Sequence, residues 1–449
     1  MASLVERLWA RDASLWTSSG EERRLGWLDA PTRLRERIGP IEAFAESVDA
    51  DGILDVVLLG MGGSSLAAEV LRRAFGAARF HVLDTTHPAP IRRLGDALDP
   101  ERTLFLVASK SGTTLETRCQ LEWFWERAPE GHRFAAITDP GSELEEIALE
   151  RGFRAVFHGE PDVGGRYSAL TAFGLVPAAL MGARLDDFLS GAADMMEACA
   201  REESPGVELG LRLGEGWRAG RDKVALAPSP YAFGLWAEQL LGESLGKDGR
   251  GLVPVPGDPG EGSDRQAGEV NLSGPYDLPA EWYRWEVGTA VAGHVLGVNP
   301  FDQPDVQAAK ERTVDVLESA GEPDVGPEGS LEELLAQARP GDYVAIQAFI
   351  DPAREGELAP LLERARATGC AVTVGLGPRF LHSTGQLHKG GPNTVLALQV
   401  VDEPGDELPV PGCDYGFRKL LRAQAAGDYA TLRERGRRVA RVHLDDNAA

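Results

Sequence analysis

The chain of 449 residues contains little cysteine and no long apolar segment. Its four cysteines are widely spaced and form no CxxC pair, which argues against a cysteine-ligated zinc site and against a disulfide framework. No run of about 18 apolar residues occurs, so we expect no membrane-spanning helix. The first residues lack the apolar core of a signal peptide, and we therefore expect a cytoplasmic protein.

Positive charge is also scarce. The chain has 46 Lys and Arg residues against 70 Asp and Glu residues, which gives a formal net charge of −24. Nucleic-acid backbones and anionic membranes repel so acidic a surface, so we expect neither as a partner. The apolar fraction of 43% is typical of a globular protein, and the length indicates two domains with extensions.

Short apolar runs alternate with amphipathic segments along most of the chain, which is typical of βαβ units with parallel sheets. The first set of predicted strands is 54–59, 80–84, 103–108, 134–138 and 154–157. The second set is 223–227, 251–255, 343–349, 371–376 and 395–401, with a helix at 231–246 and loops at 256–280 and 319–330. We therefore predict an α/β protein. Its parts are a helical N-terminal extension (1–50), a first domain (51–205), a second domain (206–405) and a helical C-terminal extension (406–449).

Two loops rich in glycine and hydroxyl residues follow two of the predicted strands, at 60–65 and 109–114. Backbone N–H groups at a helix start, several hydroxyls and the ammonium of Lys110 can together cradle a phosphate. Because parallel strands end at one edge of a sheet, both loops can bind the same small phosphate ester. The predicted phosphate-binding residues are Gly63, Ser64, Ser109, Lys110, Ser111, Thr113 and Thr114.

Neither loop is a familiar nucleotide motif. Position 65 is Ser, so the first loop is not G-x-G-x-x-G, and no G-x-x-x-x-G-K precedes the hydroxyls of the second. Taken singly, each loop can equally be an ordinary turn in which Gly and Ser serve as turn and cap residues. An anionic substrate in so acidic a protein also needs local cations, for which Lys110, Arg166 and Lys310 are the candidates.

Two further segments carry candidate catalytic side chains. Gly165 and Arg166 precede an apolar helical run, where an anion would be welcome, although Ser168 can equally serve as a helix cap. Gln239 and Glu243 are four residues apart on a predicted helix and so share one face. A carboxylate held in a cleft can act as a general base, whereas the alternative is an exposed helical face.

The remaining candidates lie nearer the C-terminus. Gln303 and Lys310 are seven residues apart, two helical turns on one face, so both can line a cleft, although a surface lysine is the usual alternative. His382 and His388 follow the predicted strand 371–376. No acidic or cysteine partner lies nearby in sequence, so we expect no metal there. For either histidine, proton transfer and structural hydrogen bonding both stay open.

In their order along the chain, these motifs resemble those of the glucose-6-phosphate isomerase family. The motifs are 60–64, 109–114, 164–168, 243–247 and 301–303. The resemblance implies two sugar-isomerase (SIS) domains, each with a parallel sheet flanked by helices. It also implies interconversion of glucose 6-phosphate and fructose 6-phosphate through a cis-enediolate, in glycolysis and gluconeogenesis, without a cofactor.

The resemblance implies a role for each candidate. Ser64, Ser109, Lys110, Ser111 and Thr114 would hold the phosphate. Glu243 would move a proton between C1 and C2, and Arg166 would stabilise the enediolate. Gln239 and Gln303 would line the site, and Lys310 would assist opening of the sugar ring.

Within the family, residues 8–12 and 382–392 resemble the isomerase portion of bifunctional transaldolase/glucose-6-phosphate isomerase proteins. Two arrangements therefore stay open: a free-standing isomerase, and one that is fused to or associated with a transaldolase. The family's frequent dimers make a homodimer a further expectation.

The chain departs from the family's usual pattern in one respect. Family members usually carry a histidine some 30 residues after the base, and the corresponding segments here, 257–260 and 268–271, contain none. We take His388, in preference to His382, as the replacement in ring opening. Three alternatives stay open: an isomerase that also accepts mannose 6-phosphate, a non-catalytic module that senses a sugar phosphate, and a scaffold domain without activity.

Overall fold

The computed structural model describes residues 3–319 and 321–446. The outermost residues of both predicted extensions, 1–2 and 447–449, lie outside this part. No helix within it is long and apolar enough to cross a membrane. The N-terminal extension is helical, as predicted, and its α-helices are α1 (Leu4–Trp9), α2 (Ala30–Arg33) and α3 (Ile38–Ala50).

Five parallel strands form the first sheet, in the order β2-β1-β3-β4-β5. They are β1 (Asp55–Gly60), β2 (Phe80–Leu83), β3 (Thr103–Ala108), β4 (Phe134–Thr138) and β5 (Ala155–His158). The connecting helices are α4 (Leu66–Ala74), α5 (Pro88–Ala97), α6 (Leu115–Arg127) and α7 (Glu143–Glu150). The central strands β3 and β4 are buried along their whole length because helices cover both faces of the sheet. All five strand predictions are confirmed.

Three helices lead from the first sheet to the second half of the chain. They are α8 (Ala172–Leu180), α9 (Leu185–Cys199) and α10 (Pro205–Arg218). Helix α10 packs closely on α12 (Leu278–Leu296), whose residues are buried on nearly all sides. A Cβ at Gly210 would lie 2.4 Å from the carbonyl oxygen of Gly288, so only glycine allows this approach.

The second half of the chain contains two parallel sheets. The three-stranded sheet has the order β7-β6-β8 and the four-stranded sheet the order β10-β9-β11-β12. The strands are β6 (Lys223–Leu226), β7 (Val253–Pro256), β8 (Arg265–Ala267), β9 (Tyr343–Phe349), β10 (Ala371–Leu376), β11 (Val395–Val401) and β12 (Arg438–His443). The remaining helices are α11 (Phe233–Leu245), α13 (Gln307–Glu318), α14 (Leu331–Leu335), α15 (Ala359–Arg366), α16 (Gly385–Gly390) and α17 (Phe417–Glu434). The predicted α/β class with parallel sheets is confirmed.

The composition of β7 explains why these strands form two sheets. Val253 donates its N–H towards the β6 side, to Asp222, so the alternate residues of β7 face the β10 side. Those residues are Pro254 and Pro256, which have no N–H to donate. Strands β7 and β10 are therefore in contact through apolar side chains, including Val253 and Ala371, without sharing a ladder.

The sequence-based prediction missed two strands. Strand β8 has three residues and lies in the predicted loop 256–280, too short for a two-residue period to be visible. Strand β12 lies in the predicted helical extension 406–449 and pairs in parallel with β11. Its sequence, with arginines three residues apart, has no two-residue period, and a basic helix precedes it directly. The C-terminal extension is thus part of the four-stranded sheet rather than only helical.

Candidate active site

A cleft of about 390 Å³ lies where strands of the first sheet end. One wall consists of the loops after β1, β3, β4 and β5, which is the edge at which α/β proteins bind ligands. The opposite wall comes from the second half of the chain. It comprises α11, the loop before α13, the first turn of α13 and the segment after β10. The cleft therefore exists only when both halves of the chain are folded together.

Two glycines of the loop after β1 let these walls approach each other. Gly62 has a φ of +55°, and a Cβ there would lie 2.6 Å from the carbonyl oxygen of His382. A Cβ at Gly63 would lie 2.2 Å from the carbonyl oxygen of Gly165. Because any side chain would force the backbones apart, glycine is required at both positions.

The second predicted phosphate loop presents hydroxyl groups between β3 and α6. The hydroxyl of Ser109 donates to Thr114 over 3.0 Å, and the hydroxyls of Ser111 and Thr113 are also 3.0 Å apart. Gly112, with a φ of +74°, makes the turn between them. Ser64, Ser111 and Thr114 line the cleft together. This arrangement supplies hydroxyl donors ahead of a helix N-terminus.

Lys110 lies at the cleft but is engaged by protein groups. Its Nζ is 2.6 Å and 2.7 Å from the two carboxylate oxygens of Asp139 and 2.8 Å from the carbonyl oxygen of Glu160. Burial lowers the pKa of Lys110, although the Asp139 carboxylate opposes this effect. The charge of Lys110 is therefore largely neutralised by Asp139 before any ligand arrives.

Arg166 and Glu243 meet at the other end of the cleft. Nη1 of Arg166 is 3.3 Å from Oε1 of Glu243. The guanidinium is 3% exposed and donates to the hydroxyl of Ser244 and to the carbonyl oxygens of Pro300 and Asp302, over 2.8 to 2.9 Å. A guanidinium with so many partners is fixed in position. The Glu243 side chain is 14% exposed and reaches the cleft.

Three further predicted residues surround this pair. Nε2 of Gln239 donates to Glu243 over 3.1 Å and to the carbonyl oxygen of His382 over 2.8 Å. Oε1 of Gln303 accepts from Arg166 over 3.0 Å. Lys310 is exposed on α13 and lines the cleft. The cleft thus contains Gln239, Gln303 and Lys310 as the sequence predicts.

Lys247 fixes the loop at residues 299–302, next to Arg166. Its Nζ donates to the carbonyl oxygens of Asn299 and Asp302 and to the Asp302 carboxylate, over 2.5 to 2.7 Å. Burial, followed by the neighbouring Arg166, lowers the pKa of Lys247 to about 8. The Asp302 carbonyl thus accepts from both Lys247 and Arg166, so the lysine holds the loop that positions the guanidinium.

His382 lines the cleft and is held by a buried carboxylate. Its Nε2 is 2.7 Å from Oε1 of Glu116, which also accepts from Nε2 of Gln424 over 2.7 Å. Gln424 is fixed in turn by the hydroxyl of Thr86 over 2.7 Å. Burial raises the pKa of Glu116, but His382, aided by Lys310, outweighs burial and holds that pKa below its ordinary value. Glu116 is therefore the anionic partner that orients the imidazole.

The structure does not bring His388 to the cleft. His388 is 3% exposed in α16, and its Nδ1 is 2.9 Å from the hydroxyl of Tyr343. Burial, and then the nearby Lys389, lowers the pKa of His388 to about 3, so the ring is neutral. The preference for His388 over His382 is therefore not supported by the geometry. The physical reason is that residues 385–390 form a fully buried helix, in which His388 contacts Tyr343 rather than the cleft.

The remaining predicted residues converge. Gly63, Gly165, Lys110 and Arg166 of the first half line the same cleft as Glu243 of the second. Sequence analysis missed three groups: Arg24 of the N-terminal extension, which lines the cleft, Glu116 and the role of Lys247. Lys247 could have been found from its place in the 243–247 motif. Arg24 and Glu116 have no local signal, because only the fold brings Arg24 to the cleft and Glu116 to His382.

The family model and the sequence comparisons match this chain to the same kind of enzyme. The family model described as phosphoglucose isomerase matches residues 36–208. A glucose-6-phosphate isomerase of Thermus thermophilus is 33% identical over 77% of this chain and 90% of its own length. A glucose-6-phosphate isomerase of Carboxydothermus hydrogenoformans is 32% identical over 76% of this chain and 79% of its own length.

Solved structures share the fold. A glucose-6-phosphate isomerase from Chlamydia trachomatis superposes with a TM-score of 0.52 at 20% identity, over 70% of this chain and 77% of its own. A hypothetical protein from Thermus thermophilus superposes with a TM-score of 0.50 at 24% identity, over 98% of this chain and 82% of its own. At these identities the structures are similar to this chain in fold alone.

Proposed function

Because the chain belongs to the glucose-6-phosphate isomerase family, we propose that it interconverts glucose 6-phosphate and fructose 6-phosphate through a cis-enediolate. The observation that carries this proposal is the contact between the Glu243 carboxylate and the Arg166 guanidinium, in the same cleft as the hydroxyl loops. An aldose–ketose isomerase needs a base near C1 and C2, a cation for the enediolate oxygen and an anchor for the phosphate. The cleft provides all three.

Glu243 is the proposed base. Starting from fructose 6-phosphate, the carboxylate removes a proton from C1, and the electron pair forms the C1–C2 double bond of the enediolate. Return of the proton to C2, with a proton moving from the C1 hydroxyl to the C2 oxygen, gives the aldose. Gln239 donates to Oε2 of Glu243 and so fixes the carboxylate orientation.

Arg166 is the proposed stabiliser of the enediolate. Four protein acceptors besides Glu243 hold its guanidinium in place: Ser244, Gln303 and two backbone carbonyls. A donor fixed before the reaction does not have to reorganise when negative charge develops. The Lys247 ammonium strengthens this arrangement because it fixes the carbonyl of Asp302.

The phosphate anchor rests mainly on hydroxyls. Ser64 in the loop after β1, with Ser111 and Thr114 ahead of α6, provides hydroxyl donors to the cleft. The buried hydroxyl of Ser109 donates to Thr114 and orients it, and Asp139 forms an ion pair with the Lys110 ammonium. Besides Lys110 and Arg166, the cleft is lined by the cationic groups of Lys310 and Arg24. Binding energy from the phosphate holds C1 and C2 against Glu243 and so contributes to the rate.

We assign ring opening to His382 together with Lys310. Both side chains line the cleft, and Glu116 orients the imidazole through Nε2, which leaves Nδ1 for the sugar. Opening of the ring requires a proton on the ring oxygen and loss of one from the anomeric hydroxyl. His382 and Glu116 lie in the same chain, so the proposed ring-opening pair forms without a residue from a second subunit. A homodimer, a link to a transaldolase and a cytoplasmic location remain predictions.

The proposal is tested by the conversion of fructose 6-phosphate, coupled to a glucose-6-phosphate dehydrogenase. We expect turnover that persists in the presence of EDTA. Mannose 6-phosphate, supplied in parallel, separates a dual-specificity isomerase from a specific one. Tight binding of a phosphorylated sugar acid without any turnover would contradict the proposal and indicate a sugar-phosphate sensor.

A further inference from the structure

A second cavity of about 310 Å³ adjoins the cleft. The two spaces share a wall made of Ser111, Thr114, Val306, Lys310, Leu381 and His382. The cleft alone, at about 390 Å³, already lies within the range of small-ligand sites, roughly 300 to 1,000 Å³. A hexose phosphate therefore fits within the cleft, and the space of the second cavity beyond the shared wall is left unfilled.

The second cavity lies at the phosphate end of the cleft. Glu243, Arg166 and Gln239 line the cleft but not the cavity, whereas Thr113 and Asp428 line the cavity but not the cleft. Ser111 and Thr114 line both. A ligand whose reacting carbons lie at Glu243 would therefore enter the second cavity with its far end.

The cavity contains a buried carboxylate whose hydrogen bonding is incomplete. Asp428 and Lys389 form an ion pair with side chains that are 0% and 1% exposed. The Lys389 ammonium contacts Oδ1 of Asp428, and among the described residues no donor reaches Oδ2. A buried carboxylate with one oxygen unpaired is costly, so a hydroxyl group of a ligand would be favourable there. The neighbouring Gln424 is already engaged by Thr86 and Glu116.

The shared wall can hold a phosphate in a shifted position. The hydroxyls of Ser111 and Thr114 face both spaces, Thr113 extends the row into the cavity, and Lys310 adds a positive charge to the wall. A phosphate displaced from Ser64 and Ser109 towards Thr113 would keep both hydroxyl and cationic partners. The site thus offers room and donors for a substrate with a longer carbon chain.

We propose that the second cavity is a chain-extension subsite, through which the protein also isomerises seven-carbon ketose phosphates. The inference rests on the proposed isomerase function. C1 and C2 stay at Glu243 and Arg166, so the proton moves from C1 to C2 as in the six-carbon substrate and no further reactant is needed. Asp428 accepts a hydroxyl of the lengthened chain, and the phosphate moves towards Thr113.

Exchange of the C1 hydrogen with solvent tests this inference. Fructose 6-phosphate and D-altro-heptulose 7-phosphate, which has the same configuration at C3 to C5, are incubated separately with the protein in D₂O and followed by proton NMR. We expect both sugars to exchange one C1 hydrogen for deuterium. The kcat/KM of the heptulose should lie within about 100-fold of that of the hexulose, because one additional carbon changes kcat/KM by about that factor. Exchange of the hexulose alone would overturn the subsite. Exchange of neither would overturn the proposed function and the subsite with it.

Two variants test whether the second cavity determines the activity on the heptulose. Val314 lines only the second cavity and is 46% exposed, so Val314→Trp should lower kcat/KM for the heptulose by about tenfold or more and leave the hexulose unchanged. Leu149→Trp, at a position that is 69% exposed and outside both spaces, is the matched control. Lys389→Met with Asp428→Leu replaces the ion pair by apolar groups and should have the same selective effect. An unchanged ratio of the two substrates in both cavity variants would contradict the assignment.

Discussion

The two ends of the cleft are built in different ways. At the reaction end, buried charged groups from both halves of the chain hold one another: Arg166 contacts Glu243, and Lys247 and Arg166 share a carbonyl. At the phosphate end, the partners are hydroxyls on loops of the first half alone, such as Ser109 and Thr114. The reaction end is therefore a rigid arrangement of charges, suited to a transition state, and the phosphate end is a set of adjustable donors, suited to binding. Substitutions at the first should lower kcat and those at the second should raise KM.

The largest effect is expected from Arg166→Lys. Lysine cannot reproduce the fork that joins Ser244, Gln303 and two carbonyls, so the cation would no longer lie at the enediolate oxygen. We expect kcat to fall by about 1,000-fold, with little change in the binding of a hexitol 6-phosphate inhibitor, which has no negative charge at C1 or C2. Arg93→Lys, which alters an ion pair with Asp351 away from the cleft, is the control. If Arg166→Lys bound the inhibitor more weakly but kept its kcat, the assignment of Arg166 to the reaction end would be contradicted.

His382→Asn should lower kcat/KM for fructose 6-phosphate by about 100-fold, because general acid–base assistance to ring opening is lost. The same variant should act almost normally on 5-deoxyfructose 6-phosphate, which lacks the hydroxyl that closes the ring. Glu116→Gln should show the same pattern more weakly, because the imidazole would lose its anionic partner. Equal losses on the cyclic and the open-chain substrate would show that His382 has no role in ring opening.

At the phosphate end, Ser109→Ala combined with Thr114→Ala should raise KM by about tenfold and leave kcat within about twofold. The change removes the Thr114 hydroxyl that faces the phosphate together with the Ser109 hydroxyl that orients it. Steady-state rates with fructose 6-phosphate, together with the affinity of a phosphorylated sugar acid, provide the measurement. Thr368→Ala, a hydroxyl change on the loop before β10, is a suitable control. Unchanged affinity in the double variant would contradict the phosphate assignment.

The smallest effect on activity is expected from His388→Gln, because His388 lies outside the cleft. The loss of its bond to Tyr343 should instead reduce the free energy of unfolding by about 1 to 3 kcal/mol, measurable by denaturant titration. Its pKa is about 3 in the folded protein against 6.5 ordinarily, so only the unfolded chain takes up the proton between these values. The wild type should therefore lose stability as the pH falls from 6.5 towards 3, and the variant should lose less. A large loss of kcat at unchanged stability would restore His388 as a catalytic candidate.

The difference between the two ends of the cleft also explains which parts of the site the sequence could predict. The hydroxyl loops after β1 and β3 lie on contiguous residues, and their turn and helix-cap chemistry is visible locally, so the phosphate end could be recognised. Glu243 and Arg166 could be identified only through the family resemblance, because a lone carboxylate on a helix is most often solvent-exposed. The choice between His382 and His388 could not be made, because it depends on Glu116, which is 266 residues away in sequence. The fold followed from strand periodicity, apart from the three-residue β8 and the basic β12.

The most direct test of the account is proton transfer by Glu243. Wild-type protein and Glu243→Gln are incubated with fructose 6-phosphate in D₂O, and the C1 hydrogen is followed by NMR while the affinity of a phosphorylated sugar acid is measured. The account predicts exchange and aldose formation by the wild type. In the variant it predicts loss of both, with inhibitor affinity retained because the phosphate end is intact. Exchange at the wild-type rate in Glu243→Gln would show that another group is the base and would contradict the account.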